Sequence, residues 1–336
     1  MMTKQLRQTE SPVRREGRTY RVDGEIRVRG RRYDVLEQLG TRLRPRLLVD
    51  DPVLRQLYVA LILPNDSSTV QHLRVLRRLP PHADVPHIID YARQGRETII
   101  LLRWVKGIDL GQYFDMVKRK KAMAPIPYES LRLVRGLGHS LWQFHKHAQL
   151  IHGDLKPTNL IITRKVSRLV MIDFGSAWPI ETTRYRIEGD GISVVYAAPE
   201  QQTEETPPDA RADQFSATLI LYQLLTGTIP FAGLGGQAGR AGFRSEFAGS
   251  LTPPSEITPA VQMLPRRIRS ALDVLVQRGL AFDPDQRYPT TSAWLDAMKA
   301  VQQEMETERL RPGSCISSWQ KFVDGLVGFI FERSQQ

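Results

Sequence analysis

The order of apolar and polar positions divides the chain into a strand-rich first part and a helix-rich remainder. "LYVALILP", Leu57 to Pro64, is a short and nearly continuous apolar run, as in a strand buried on both faces. Apolar residues then recur at helical spacing at Val70, Leu73, Leu76 and Leu79, which predicts one helix, and "TIILLRWV" returns to strand. Ahead of these, "RVDGEIRVRG" predicts a hairpin turning at Asp23 and Gly24, and "RRYDVLEQLG" opens the next strand. From "LRLVRGLGHSLWQFHKHAQL" onward the period is helical. "DQFSATLILYQLLTG" reads as an apolar helix closed by Gly227, with Pro230 shortly after. "GLGGQAGRAGF" contains a G-x-G-x-x-A string, but no strand precedes it, so it predicts a flexible loop and not a dinucleotide fingerprint. Near the end, Trp319, Phe322, Val323, Leu326 and Ile330 share one helical face, suited to docking on the domain or to a partner or membrane surface.

Composition adds little to this picture and charge adds more. With 336 residues, 41% hydrophobic and 25% charged, the chain has the makings of one large core or two lobes. The single Cys315 excludes a disulfide framework and a thiolate metal cluster, and no run reaches the roughly 18 apolar residues of a membrane span; a cytoplasmic setting is the expectation. The formal net charge of +11 is concentrated at the start, where Arg14, Arg15, Arg18, Arg21, Arg27, Arg29, Arg31 and Arg32 crowd together. Such blocks are usually solvated arms, with weak contact to an anionic surface as the alternative; no specific nucleic acid is expected.

The candidate chemistry lies in "IHGDLKPTNLII". Phosphoryl transfer needs a carboxylate to orient or deprotonate the attacking hydroxyl, a cation against the migrating charge, and oxygen ligands for a divalent metal. Asp154, Lys156 and Asn159 meet these needs in one short loop, and "LVMIDFGSAW" adds Asp173 after a buried strand, so Asn159 and Asp173 form a candidate metal pair.

These segments resemble the catalytic loop and D-F-G of the eukaryotic-like, or Hanks-type, Ser/Thr protein kinases. Further matches follow in family order: "YAAPEQ" with Ala198, Pro199 and Glu200; Asp213 at the head of the central helix; and "LAFDPDQRY", with Arg287 as a partner for Glu200. The resemblance implies an α+β, bilobal kinase-like fold. Its N-lobe would cover 33–105 and its C-lobe 106–300, preceded by a basic arm over 1–32 and followed by a helical tail over 301–336. It also implies ATP with Mg²⁺ or Mn²⁺ as cofactors and a protein hydroxyl as acceptor. Leu47 and Ala60 would cover the adenine, Ile161 would underlie it, and the backbone of Arg103 and Val105 would meet its edge. Lys156, with Ser193 near it, is the Ser/Thr pattern.

The chain departs from the family at several points. "GTRLRP" keeps only Gly40 of the glycine loop, with Arg42 and Pro45 in the later glycines' places. Ile62 stands where the phosphate-gripping Lys belongs, and Gln71 or His72 where its Glu partner belongs; Gly153 replaces the catalytic-loop Arg. Arg44 and Arg46 flank the position from which with-no-lysine kinases supply a cation, and are candidate nucleotide ligands. Two readings stay open: a slow or atypical kinase, and a pseudokinase acting as a nucleotide-sensing or protein-binding scaffold.

Overall fold

The computed structural model describes residues 12–39, 46–79, 85–163, 168–182, 193–203 and 207–310. They divide into two compact units, 1–106 and 107–336.

The first unit contains β1 (Val13–Arg15), β2 (Arg18–Tyr20), β3 (Gly24–Val28), β4 (Arg31–Gln38), β5 (Arg46–Asp51), β6 (Gln56–Pro64), helix α1 (Ser67–Arg78), β7 (Ile88–Gln94) and β8 (Glu97–Arg103). Six of the strands form one antiparallel sheet in the order β3-β4-β5-β6-β8-β7. Asp66 caps α1 by accepting the amide of Thr69, and Arg77 and Arg78 occupy its last turn, where the helix dipole favours cations. Alternation along β5 and β6 divides their residues between two faces. Leu47, Val49, Ala60 and Ile62 join one cluster with Ile26, Val28 and Leu101, while Leu48 and Leu57 pack with Leu36 on the other.

The predicted turn at Asp23 and Gly24 is corrected. Hairpins turn at Glu16-Gly17, between β1 and β2, and at Arg29-Gly30, between β3 and β4. Both residues of each pair have positive φ, as two-residue hairpin turns require, whereas Asp23 donates its amide to the Val35 carbonyl as the chain enters β3. The solvated arm is corrected with it. From Val13 onward the chain is built into this unit, because Val13, Tyr20, Val22 and Trp104 pack on Leu36, Leu48 and Leu57. Several of the arginines are paired: Arg15 forks onto Asp50 at 2.6 Å through Nε and Nη2, and Arg29, Arg31 and Arg32 pair with Asp90, Asp51 and Asp34, while Arg14, Arg18 and Arg21 are exposed.

The second unit contains β9 (Gly107–Asp109), α2 (Leu110–Lys118), α3 (Pro127–Gln143), β10 (Leu150–Ile151), β11 (Leu160–Thr163), β12 (Leu169–Met171), β13 (Trp178–Pro179), α4 (Ala210–Thr226), α5 (Arg244–Phe247), α6 (Pro254–Ile257), α7 (Pro259–Gln262), α8 (Arg266–Gly279) and α9 (Thr291–Arg309). Helix α4 is buried on nearly every side because α3, α6, α8 and α9 pack against it; Gly227 ends it in the left-handed conformation. Helix α9 runs unbroken across the expected 300/301 boundary, burying Trp294, Met298, Val301 and Met305.

The glycine-rich segment after α4 is packed, which corrects its reading as a flexible loop. Gly235, Gly236 and Gly239 are buried, and a Cβ on any of them would strike Val195, Ala197 or Pro199. These glycines let the backbone seat against the A-P-E segment.

Candidate active site

Strands β9, β11 and β12 form a small sheet, and the candidate residues lie at its edge loops. Asp154 is buried, and its carboxylate is held from three sides. Lys156 Nζ donates to Oδ2 at 2.7 Å, Asn159 Nδ2 donates to Oδ2 at 3.1 Å, and the Ser193 amide approaches Oδ1 at 3.4 Å. Asn159 Nδ2 also donates to the Asp154 carbonyl at 2.9 Å. Because both partners of that amide nitrogen are acceptors, the Asn159 carbonyl oxygen faces away from Asp154.

Asp173 is brought beside this loop by the β11–β12 pairing, in which the Ile172 amide donates to the Asn159 carbonyl at 2.9 Å. Asp173 has a φ of 65°, a conformation costing a non-glycine residue about 1 to 3 kcal/mol that persists only where neighbours enforce it. The enforcing neighbour is Phe174, buried against Phe144 and His152 with ring centroids 5.6 and 5.3 Å away. One amide oxygen and one carboxylate suit a hard cation such as Mg²⁺, which commonly takes one or two protein oxygens and completes its shell with water and substrate phosphate. No cluster of three or more His, Cys, Asp or Glu suited to a metal occurs among the described residues.

The loop itself is fastened by Asp213 at the head of α4. Its carboxylate accepts the amides of His152 and Gly153 at 2.8 and 2.9 Å and faces His145 Nε2 at 2.8 Å; His145 Nδ1 reaches Thr291 Oγ1 at 2.8 Å. Burial alone would raise the Asp213 carboxyl, but the hydrogen bond and charge of His145 and the Gly153 amide hold it below the ordinary value. His152 is fully buried and packs on Phe144 and Phe174, a core position beneath the loop. Gly153 has a φ of 71°, and a Cβ there would collide with the Trp178 ring. The Gly153 carbonyl accepts from Gln201 Nε2 at 2.8 Å. Trp178, Gln201 and His145 were not anticipated from sequence; the one available signal was the missing Arg at 153, whose volume another large side chain has to fill.

The second buried pair is as expected. Arg287 forks onto Glu200 at 2.6 and 2.7 Å, and further donates to the carbonyls of Ala281 and Arg211 at 2.8 and 3.0 Å.

In the first unit, Leu47 and Ala60 face each other across β5–β6 and are both buried. Arg103 ends β8, its amide donating to the His87 carbonyl at 2.9 Å, with Val105 two residues beyond. Ile62 belongs to the same apolar cluster as Ala60, and α1 presents Gln71 and His72 without a carboxylate between them. Arg46 pairs with Leu61 and shares the face of Leu48, opposite that of Leu47 and Ala60. Strand alternation therefore turns it away from the face expected to cover the adenine, against the expectation that it is a nucleotide ligand. Arg44 lies outside the described residues. In the second unit Ile161 lies in β11, half-buried, opposite Asp109 and Val170.

A profile of the protein kinase domain matches residues 61–303. The chain is similar to the tyrosine-protein kinase MasK of Myxococcus xanthus, 28% identical over 277 residues, or 77% of this chain and 40% of that protein. It is also similar to the serine/threonine-protein kinase PknE of Mycobacterium tuberculosis, 26% identical over 273 residues covering 78% of this chain and 45% of the relative. The serine/threonine-protein kinase PrkC of Bacillus subtilis matches at 22% identity over 273 residues, 79% of this chain and 39% of the relative. The chain therefore spans less than half the length of these relatives.

Proposed function

Since the chain belongs to the Hanks-type protein kinase family, we propose that it transfers the γ-phosphoryl group of ATP to a protein serine or threonine hydroxyl, at a low rate. The observation that carries this reading is the Asp154 carboxylate, buried yet hydrogen-bonded to both Lys156 and Asn159. In this role Asp154 Oδ1 or Oδ2 takes the acceptor proton as the hydroxyl oxygen bonds to the γ-phosphorus and the bond to the ADP oxygen breaks. Lys156 offsets charge on the moving phosphoryl group. Asn159 and Asp173 would hold a divalent cation, which supplies electrostatic relief to the phosphates when bound. The low rate follows from Ile62: one lost electrostatic donor at a reacting centre costs about 10²- to 10³-fold. A reducing, cytoplasmic setting suits the single Cys315; among the described residues no helix is long and apolar enough to cross a membrane.

A nucleotide-sensing scaffold is the second reading, favoured by the apolar surroundings of Ile62 and the absence of a carboxylate at Gln71 and His72. Two measurements separate them. Labelled ATP with Mg²⁺ or Mn²⁺ and a basic protein acceptor should yield phosphoserine or phosphothreonine that Asp154→Asn abolishes; equal signal in both proteins defeats the kinase reading. Mg²⁺-ATP at 100 times its Kd should stabilise the fold by about 2.7 kcal/mol. That stabilisation without transfer supports the scaffold, and phosphotyrosine as the product refutes the hydroxyl class proposed.

A further inference from the structure

A groove of about 1040 Å³ opens in the second unit between the end of α2, the end of α4 and the segment leading through α5 to α6. Its apolar lining includes Phe114, Val117, Ile229, Phe247 and Ile257, each only half-buried, with Asp115 and Lys118 exposed at the rim. An open apolar concavity of this kind marks a binding surface more often than bare solvent contact.

Where the chain goes next identifies the occupant. Helix α9 ends at Arg309, whose guanidinium lies 5.2 Å from the centroid of the Tyr128 ring, and Gln302 Nε2 reaches the Tyr128 hydroxyl at 3.4 Å. Two residues along α3, Ser130 Oγ contacts the Leu224 carbonyl at 3.5 Å, and Tyr222, Gln223 and Gly227 on either side of Leu224 line the groove. The chain thus leaves α9 at the groove's end of the unit, with Leu310 exposed at 74%. The eight residues Arg311 to Ser318 reach at most about 26 to 29 Å when extended. After them come Trp319, Phe322, Val323, Leu326 and Ile330, apolar positions spaced by three and four, with Lys321 and Asp324 between them to meet either rim charge.

We propose that the apolar stripe of residues 319–330 docks into this groove of its own chain, as an intramolecular ligand. The placement does not depend on catalysis, so its test reads none. Hydrogen exchange is followed on the full chain and on a full-chain Phe322→Asp, Leu326→Asp variant, whose substitutions lie beyond the described fold. In the native chain the amides of 114–118, 247–257 and 319–330 should exchange at least about tenfold more slowly than in the variant. Adding a peptide of residues 313–336 should restore groove protection in the variant, and Val117→Glu in the groove should release protection of 319–330. Unprotected tail amides in the native chain, or groove protection indifferent to the tail substitutions, overturns the proposal. Protection that rises with concentration alongside a dimer in sedimentation assigns the stripe to a second copy and overturns the intramolecular claim. So does stripe-dependent binding to phosphatidylglycerol vesicles with groove exchange unchanged.

Discussion

Arg287 and Glu200 are each at least 95% buried, and their ionic fork has carbonyl partners for the remaining guanidinium protons. Removing one partner of such a pair strands a charge away from water, so Arg287→Ala should lose roughly 3 to 5 kcal/mol in urea denaturation. A loss under about 1 kcal/mol would show the pair to be dispensable. Gly153 is constrained twice, by its left-handed backbone and by the Trp178 ring. Gly153→Ala should therefore cost about 2 to 5 kcal/mol. Adding Trp178→Ala should relieve the collision while leaving the backbone cost, so the double variant's loss should be less than the sum of the two single losses. Strict additivity would mean that the ring and the glycine do not interact.

Among the elements, the β1–β2 hairpin is the one whose attachment can be isolated. Apolar contact through Val13 and Tyr20 is supplemented by the Arg15 fork on Asp50, a carboxylate with no solvent exposure. Burial raises the Asp50 carboxyl above its ordinary value even against the Arg15 bond and charge. Arg15→Ala leaves that carboxylate uncompensated and should cost about 3 kcal/mol or more, while Arg15→Ala with Asp50→Asn should recover a measurable part. Hydrogen exchange at 13–20 should accelerate in the single variant first. If the double variant is no more stable than the single, the fork is not what binds the hairpin.

At the scale of the whole molecule, three buried or half-buried phenols couple stability to alkaline pH. Tyr113, Tyr196 and Tyr222 donate to Met123 O, Gln223 Oε1 and Thr252 O at 2.7, 2.7 and 3.0 Å. Burial pushes each phenol up from 10.0 to about 12. Because the folded-state values are raised, this stabilisation is complete below pH 10 and is lost as pH climbs through 12. The part of the tyrosinate absorbance that is lost on replacing Tyr113, Tyr196 and Tyr222 by Phe should accordingly appear together with unfolding in that interval, and Tyr196→Phe should shift the alkaline midpoint upward. Ionisation of these three phenols near pH 10 in the folded protein would contradict it.

The sequence by itself determined the order of elements and pointed to the candidate catalytic loop. Those signals are local: apolar runs at Leu57–Pro64, helical spacing through Leu79, Gly227 ending a helix, and Asp154, Lys156 and Asn159 within six residues of one another. It also paired Glu200 with Arg287 across 87 residues, because the family order of motifs carries that information. Tertiary structure alone decided what surrounds these groups. Hairpin position depended on which adjacent pair could hold positive φ, and the turns fell at Glu16-Gly17 and Arg29-Gly30, not at Asp23-Gly24. The face of Arg46 was set by register against Leu61, which one strand's sequence does not encode. Trp178 over Gly153, Gln201 on its carbonyl and His145 between Asp213 and Thr291 join residues 25 to 146 positions apart. Such contacts follow from packing volume and hydrogen-bond satisfaction, quantities that exist only once the chain has closed on itself.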